Sequence, residues 1–314
     1  MPAALLDSLA FSFPEIEVAD SLIALSSRKG HFVLVANRDF SRHLVFGRQG
    51  GGPGDLRGPA EMRRVPEGLA VLESGNGRVS AWSPSGAPLW RVTTGGATGG
   101  FAVDGRRHVF TVASDGQAYL RESWGRDSTR TLGRRPSSSP EAWLDLVTRA
   151  PDGTYWIFDN AARAIVVMDA TGGLLRTLRL PPSVEAAVSR AAEATDRQFR
   201  SQGLGGATAV LRAFRFVDDG RLLIRTTGEG PFALLVHPET RACVSLTLPA
   251  EPGARALVRE ASTMTVAHRT LFVVSDEGQL REFPLPDAAW DGADATASTA
   301  VPSPGPRHAG SPPP

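Results

Sequence analysis

The segment DLVTRAPDGTYWIFDNAARAIVVMDATGGLLRTLRL, residues 145–180, decides the fold. It reads as four short strands separated by three polar turns. Residues 145–150, 154–158, 163–168 and 174–180 mix β-branched, aromatic and aliphatic residues with polar ones, the period-two pattern of a half-buried strand. Pro151-Asp152-Gly153 is a turn by mechanism, because proline presets the first φ and glycine accepts a positive one. Asp159-Asn160-Ala161-Ala162 and residues 169–173 supply the other two turns. Together they make one antiparallel meander.

The same grammar recurs along most of the chain. Further copies occupy residues 16–46, 62–92, 101–132, 214–248 and 263–283. Six meanders repeating every roughly 40–50 residues predict an all-β chain folded as a six-bladed β-propeller. The physical reason is burial. One twisted sheet has two apolar faces and covers neither, whereas blades packed around a ring cover both. A sandwich would use fewer strands, and its turns would not recur at blade spacing. The reading assigns residues 1–286 to the propeller. Its last copy is one strand short, and residues 5–13 are expected to close it from the N-terminal end. Residues 287–314, rich in Pro, Ala and Ser, read as a disordered tail.

The run Phe46-Gly47-Arg48-Gln49-Gly50-Gly51-Gly52-Pro53-Gly54-Asp55 resembles the linker leaving a blade in bacterial six-bladed β-propeller proteins of the NHL-like group. Asp55 stands where glutamate is usual there, and Gly51 is an extra glycine. Ser74-Gly75-Asn76-Gly77-Arg78-Val79 resembles the NHL turn, and Asp159-Asn160-Ala161-Ala162-Arg163 is a looser match. Relatives in this group span lactonases, lyases, RNA-binding domains and protein-binding modules. The resemblance therefore implies a fold and leaves activity open.

Composition sets further bounds. The 314 residues carry a formal net charge of +1, so no strong field steers the chain toward polyanions, and nucleic acid is a weak expectation. Lys29 is the only lysine, the remaining basic residues being arginine. Cys243 is the only cysteine, flanked by Ala242 and Val244, and reads as a small buried apolar residue. No stretch approaches the ~20 apolar residues of a membrane span. Residues 1–13 lack a basic start and a long apolar core, so the sequence as it stands reads as cytoplasmic, and as exported if the true start lies upstream. A monomer is expected.

Candidate function sits where the repeat is broken. The loop of residues 47–59 ends in Asp-Leu-Arg-Gly-Pro and lacks the Gly-Lys-Ser or Gly-Lys-Thr of a phosphate-cradling loop. Its Arg48, Gln49, Asp55 and Arg57 form a candidate binding loop; a tight blade-to-blade crossing is the plainer reading. Residues 183–202 place Val184, Val188, Ala191, Thr195 and Phe199 at helical spacing, predicting a helical insertion between blades 4 and 5. It serves as a lid or simply packs on that face. Both departures join an outer strand to the next inner strand, so they share a face with the turns between second and third strands. Those turns carry Arg28, Asn76, Asp115, Asp159, Asn160, Glu229 and Asp276. Oxygen ligands near the axis suit Ca²⁺, although Asp and Asn are also what turns require; no other cofactor is expected. His43, His108, His237 and His268 fall near turns of the opposite face with no close metal-ligand spacing. No Ser-His-Asp signature, nucleophile elbow or HExxH helix occurs. The leading expectation is a binding module for a protein or small ligand on the face bearing the helix. The alternative is a metal-dependent hydrolase or lyase with its site at the central channel. Nucleic-acid binding through arginines of one face is a third reading.

Overall fold

The computed structural model describes residues 15–19, 21–95, 100–113, 115–125, 127–136, 138–139, 142–201, 211–217, 220–226, 233–240, 242–247, 261–275, 280–287, 290 and 298–300. Blade 1 contains β1 (Glu15–Ala19), β2 (Leu22–Ser27), β3 (Phe32–Asn37) and β4 (His43–Phe46); blade 2 contains β5 (Pro59–Val65), β6 (Gly68–Glu73), β7 (Arg78–Trp82) and β8 (Pro88–Thr93). Blade 3 contains β9 (Phe101–Val103), β10 (Val109–Val112), β11 (Ala118–Trp124) and β12 (Ser128–Arg134). Blade 4 contains β13 (Leu146–Arg149), β14 (Tyr155–Asp159), β15 (Ala164–Met168) and β16 (Leu174–Arg179). After the helix α1 (Pro182–Ser201) come blade 5, with β17 (Leu211–Phe216), β18 (Leu222–Thr226), β19 (Ala233–Val236) and β20 (Cys243–Thr247), and blade 6, with β21 (Ala261–Ala267), β22 (Thr270–Ser275) and β23 (Leu280–Pro284).

Every blade pairs its strands antiparallel in chain order. The first strands of successive blades pack against one another around the axis, and β21 of blade 6 meets β1 of blade 1, so the ring closes. An apolar cluster fills each of the six joints between neighbouring blades, including Ile16, Ile23 and Leu25 against Phe272 and Val274 at the joint of blades 6 and 1. The alternation of β14 shows how one strand serves two joints. Tyr155 and Ile157 enter the cluster toward blade 3, while Trp156 and Phe158 enter the one toward blade 5. The second and third strands are thus buried on both faces, whereas the outer strands β8, β12 and β16 expose most of their residues.

The N-terminal segment expected to complete blade 6 lies outside the described residues. Ser298–Ala300, within the segment read as a disordered tail, forms β24 and pairs in parallel with the outer edge of β20, with Ser245 opposite Ser298. Trp290 packs against the cluster between blades 5 and 6.

Helix α1 lies between β16 and β17, as the sequence predicts. Val184, Ala187 and Val188 are buried in the cluster between blades 4 and 5, beside Leu178, Leu180 and Phe214. Glu185 in its first turn and Arg200 in its last complement the helix dipole. Arg163 Nη1 donates to Ser189 Oγ at 3.0 Å and ties the helix to the blade 4 turn. The described part of the helix therefore packs on a blade joint and contributes no residue to the channel wall. The side chains of Ala191, Thr195 and Phe199 lie outside the described set.

Candidate functional site

Alternating strand direction gives the ring two faces. One carries the turns between second and third strands and the crossings from blade to blade, where the sequence placed its candidate site. The other carries the turns between first and second and between third and fourth strands.

On the first face the candidate binding loop is a fastening. Leu56 is fully buried in the joint between blades 1 and 2. The Leu56 amide donates to the Arg48 carbonyl at 2.8 Å, and Gln49 forms an isolated bridge with Leu56. Arg48 Nε donates to Asp55 Oδ1 at 2.8 Å, and the Gly52 amide donates to Asp55 Oδ2 at 2.9 Å. Gly47 sits at φ +87°, and a Cβ there would run into the Leu56 side chain; one at Gly50 would meet the Asp55 carboxylate. The glycines are needed for this close approach. Blade 2 holds the loop from below: Asn76 Nδ2 donates to the Gly50 carbonyl at 2.9 Å, and Arg78 donates to the carbonyls of Gly51 (2.8 Å) and Asp55 (3.0 Å). Both also bind the fully buried Glu73, Asn76 at 2.6 Å and Arg78 at 2.8 Å, while the Arg57 amide donates to the same carboxylate at 3.3 Å. Arg28 reaches Ser74 Oγ at 3.5 Å.

The turn carboxylates are likewise occupied. Asp115 Oδ1 accepts the amide of Gln117 at 2.9 Å, an Asx turn. Asp159 Oδ1 caps the Ala162 amide at 2.9 Å, and its Oδ2 accepts Arg135 Nη1 at 3.0 Å. Arg135 also pairs with Asp145 and donates from Nε to the Ala118 carbonyl at 2.9 Å, with its guanidinium 4.4 Å from the Tyr119 ring centre. The Asn160 amide donates to Asp145 Oδ1 at 2.9 Å. Burial pushes the Asp145 carboxyl up to about 6, against the opposing pull of the Asn160 amide and Arg135. Glu229 and Asp276 lie outside the described residues. Asn76, Asp115, Asp159 and Asn160 therefore fasten crossings and turns, and among the described residues no group of three or more His, Cys, Asp or Glu side chains converges.

A second cluster of charged side chains lies in the channel, on residues the sequence reading did not single out. Arg215 of β17, 6% exposed, donates from Nη1 to the Ile16 carbonyl (3.0 Å) and Glu17 Oε2 (3.1 Å) of β1, and from Nη2 to Glu15 Oε2 (3.4 Å). Blades 5 and 1 are not neighbours, so this arginine reaches past blade 6, whose Thr263 donates to Glu15 Oε2 at 3.3 Å. On β5, Arg63 pairs with Glu61. Burial pushes the Glu15 carboxyl up to about 7; Arg215 opposes this and the Glu61 charge adds to it. Glu17 is raised by the same burial, again opposed by Arg215.

Above these pairs a cavity of about 280 Å³ opens toward the second face. All six first strands line it, with Glu17, Arg63, Arg64, Arg149, Arg215 and Phe101 among its wall residues. Four arginines and Glu17 line the mouth, and two of the arginines are already engaged, Arg63 with Glu61 and Arg215 with Glu15 and Glu17. The only hint in the sequence was the spacing Glu15-x-Glu17 and Glu61-x-Arg63 at the start of meanders, where period two puts both members on one side of an inner strand. Of the histidines on this face, His108 Nδ1 lies 2.5 Å from Glu122 Oε1, in a pair that Arg130 completes.

Glu15 gives a stability test with a definite sign. Its folded-state pKa lies above the ordinary 4.5, so the folded state binds more protons between these values. That stability is fully present below about pH 4.5 and is lost as pH rises through about 7. Because the side chain keeps 24% of its surface, the effect is placed at about 1–2 kcal/mol, below the full value of the shift. Urea midpoints should be higher at pH 5 than at pH 8, and Glu15→Gln should flatten the difference. An unchanged pH slope in the variant would contradict the assignment.

No protein-family model matches the chain, and no curated protein does. Solved structures do resemble it. The virginiamycin B lyase of Staphylococcus aureus superposes with a TM-score of 0.51 at 12% identity, covering 87% of this chain and 84% of that one. A protein of unknown function from Bacteroides thetaiotaomicron gives 0.52 at 9% identity over 87% and 69%. A chain of the mitotic checkpoint complex gives 0.53 at 11% identity over 89% of each. Likeness at this identity shows the fold alone.

Proposed function

We propose that this propeller is a binding module of the NHL-like kind, and that it receives an anionic group at the channel mouth on the face opposite α1. The observation that carries the reading is the cavity of about 280 Å³ lined by Arg63, Arg64, Arg149 and Arg215 from three blades, one arginine more than the carboxylates Glu15, Glu17 and Glu61 that pair with Arg63 and Arg215. Guanidinium groups suit carboxylate and phosphate oxygens because their planar forks donate paired hydrogen bonds. Partial desolvation between the blades strengthens such bonds. The pairs beneath, Arg215 with Glu15 and Glu17, hold the floor rigid.

Calorimetric titration of the full chain with acetate, phosphate and citrate tests this. Binding is expected for at least one anion and is absent for acetamide. Arg149→Ala, at the exposed rim, weakens it roughly tenfold, the value of one charged hydrogen bond. Sulfate, whose charge is fixed, binds more tightly at pH 6 than at pH 8, because Glu15 is neutral below about pH 7 and charged above it. Acetamide binding as well as acetate, or an unchanged Arg149→Ala, refutes the reading.

A further inference from the structure

Two more clefts open on the same face, and both run into the channel mouth. The first, about 280 Å³, lies between blades 1 and 2 and shares Glu17 and Arg64 with the channel. Its walls are mainly apolar: Leu22, Ala24, Val35, Val65 and Leu69. The second, about 300 Å³, lies between blades 4 and 5 and shares Ala150, Pro151 and Phe216 with the channel. Trp156, Phe216 and Pro238 line it, with Arg176 5.6 Å from the centre of the Trp156 ring. In a ring of six blades these two joints stand opposite one another. The three depressions therefore form one track across the face, with apolar side chains in the cleft at each end and arginines where it crosses the axis.

We propose that this track holds an extended peptide segment of a partner protein, with one acidic side chain over the channel arginines and apolar side chains in the two clefts. The inference rests on the anionic-group reading above and adds the identity of the ligand. Charge complementarity argues for a single central acid. Glu67 stands at one end of the track, and Asp152 and Glu239 at the other. Glu67 is paired with Arg107 at 2.9 Å, and Arg176 lines the same cleft as Asp152 and Glu239, so neither end offers the excess positive charge that the phosphates of a polyanion such as RNA would need along the whole length. Leu22, 39% exposed at the cleft rim, is a large apolar side chain left for an apolar partner. An extended chain suits a straight track better than a helix, because alternate side chains then face the floor.

The test uses the full-length chain and an array of immobilised heptapeptides in which each position is varied in turn. Spots with one Asp or Glu at the central position and Leu, Ile or Phe on both sides should bind best, and a second acid should weaken them. The best heptapeptide is then compared in solution with its own central tripeptide, which should bind at least tenfold more weakly. Leu22→Arg and Pro238→Trp, each obstructing one cleft, should weaken the heptapeptide and leave the tripeptide unaffected, with melting temperatures unchanged. Equal affinity of tripeptide and heptapeptide, a comparison that needs no variant, overturns the track while leaving the anion site standing. Heptapeptides that bind without preferring an acid overturn both. A preference for several acids, tighter binding of single-stranded RNA than of any heptapeptide, or no spot above background overturns the track.

Discussion

Arg135→Met is expected to destabilise the protein by about 3–5 kcal/mol, the cost of breaking a buried ion pair by removing one partner. The Arg135 side chain is 1% exposed and the Asp145 side chain 0%, so water cannot replace the missing guanidinium. Asp159, also paired with Arg135, loses its partner in the same step. Arg135 follows β12, and Asp145 precedes β13, so the cluster fastens the crossing from blade 3 to blade 4. For a chain this size the loss corresponds to a fall of about 5–8 °C in melting temperature. It should be larger at pH 8 than at pH 5. Without Arg135 the Asp145 carboxyl, already at about 6, rises further, and at the lower pH it escapes the unpaired charge by taking up a proton. Adding Asp145→Asn should recover part of the loss at pH 8. Urea unfolding of the two variants at both pH values decides the matter; a loss below about 1 kcal/mol at pH 8 would sink the account.

Arg78→Ala should cost about 2–3 kcal/mol, less than Arg135→Met because the carboxylate left behind keeps other donors. Glu73 is fully buried, and it would still accept Asn76 Nδ2 at 2.6 Å and Ser80 Oγ at 2.5 Å. The variant also releases the carbonyls of Gly51 and Asp55, two anchors of the crossing from blade 1 to blade 2. Amide exchange should therefore accelerate in residues 50–58 well beyond the change in global stability. Arg78→Lys should restore little, since a single ammonium cannot reach Glu73 and both carbonyls with a planar fork. If exchange in that loop stays in step with global unfolding, the loop has other supports and this reading falls.

The two predictions concern equivalent places. Glu73 and Asp159 each end the second strand of a blade, and each receives an arginine that fixes the incoming crossing. The sequence singled out this rim for its turn residues, and the structure engages Asn76, Asp115, Asp159 and Asn160 in holding crossings and turns. Asn76, Asp115, Asp159 and Asn160 were legible as turn residues, because turn chemistry is local. The engagement of Asn76 with Gly50 and of Asp159 with Arg135 was not, because those partners lie 26 and 24 residues away.

Local rules settled the architecture. Period-two strands, Pro-Asp-Gly and Asp-Asn turns and a recurring meander decide where each strand begins and ends, and the need to cover two apolar faces per sheet drives the ring. The helical spacing of Val184 and Val188 likewise predicted the insertion before blade 5. Tertiary structure alone decided where charge gathers. Arg215 meets Glu15 and Glu17 across 200 and 198 residues of sequence because the first strand of every blade returns to the same axis. A charge in such a strand looks the same in sequence whether it faces solvent or the axis. Only the closed ring distinguishes the two, by removing water from one side and bringing the arginines of separate blades into one cavity.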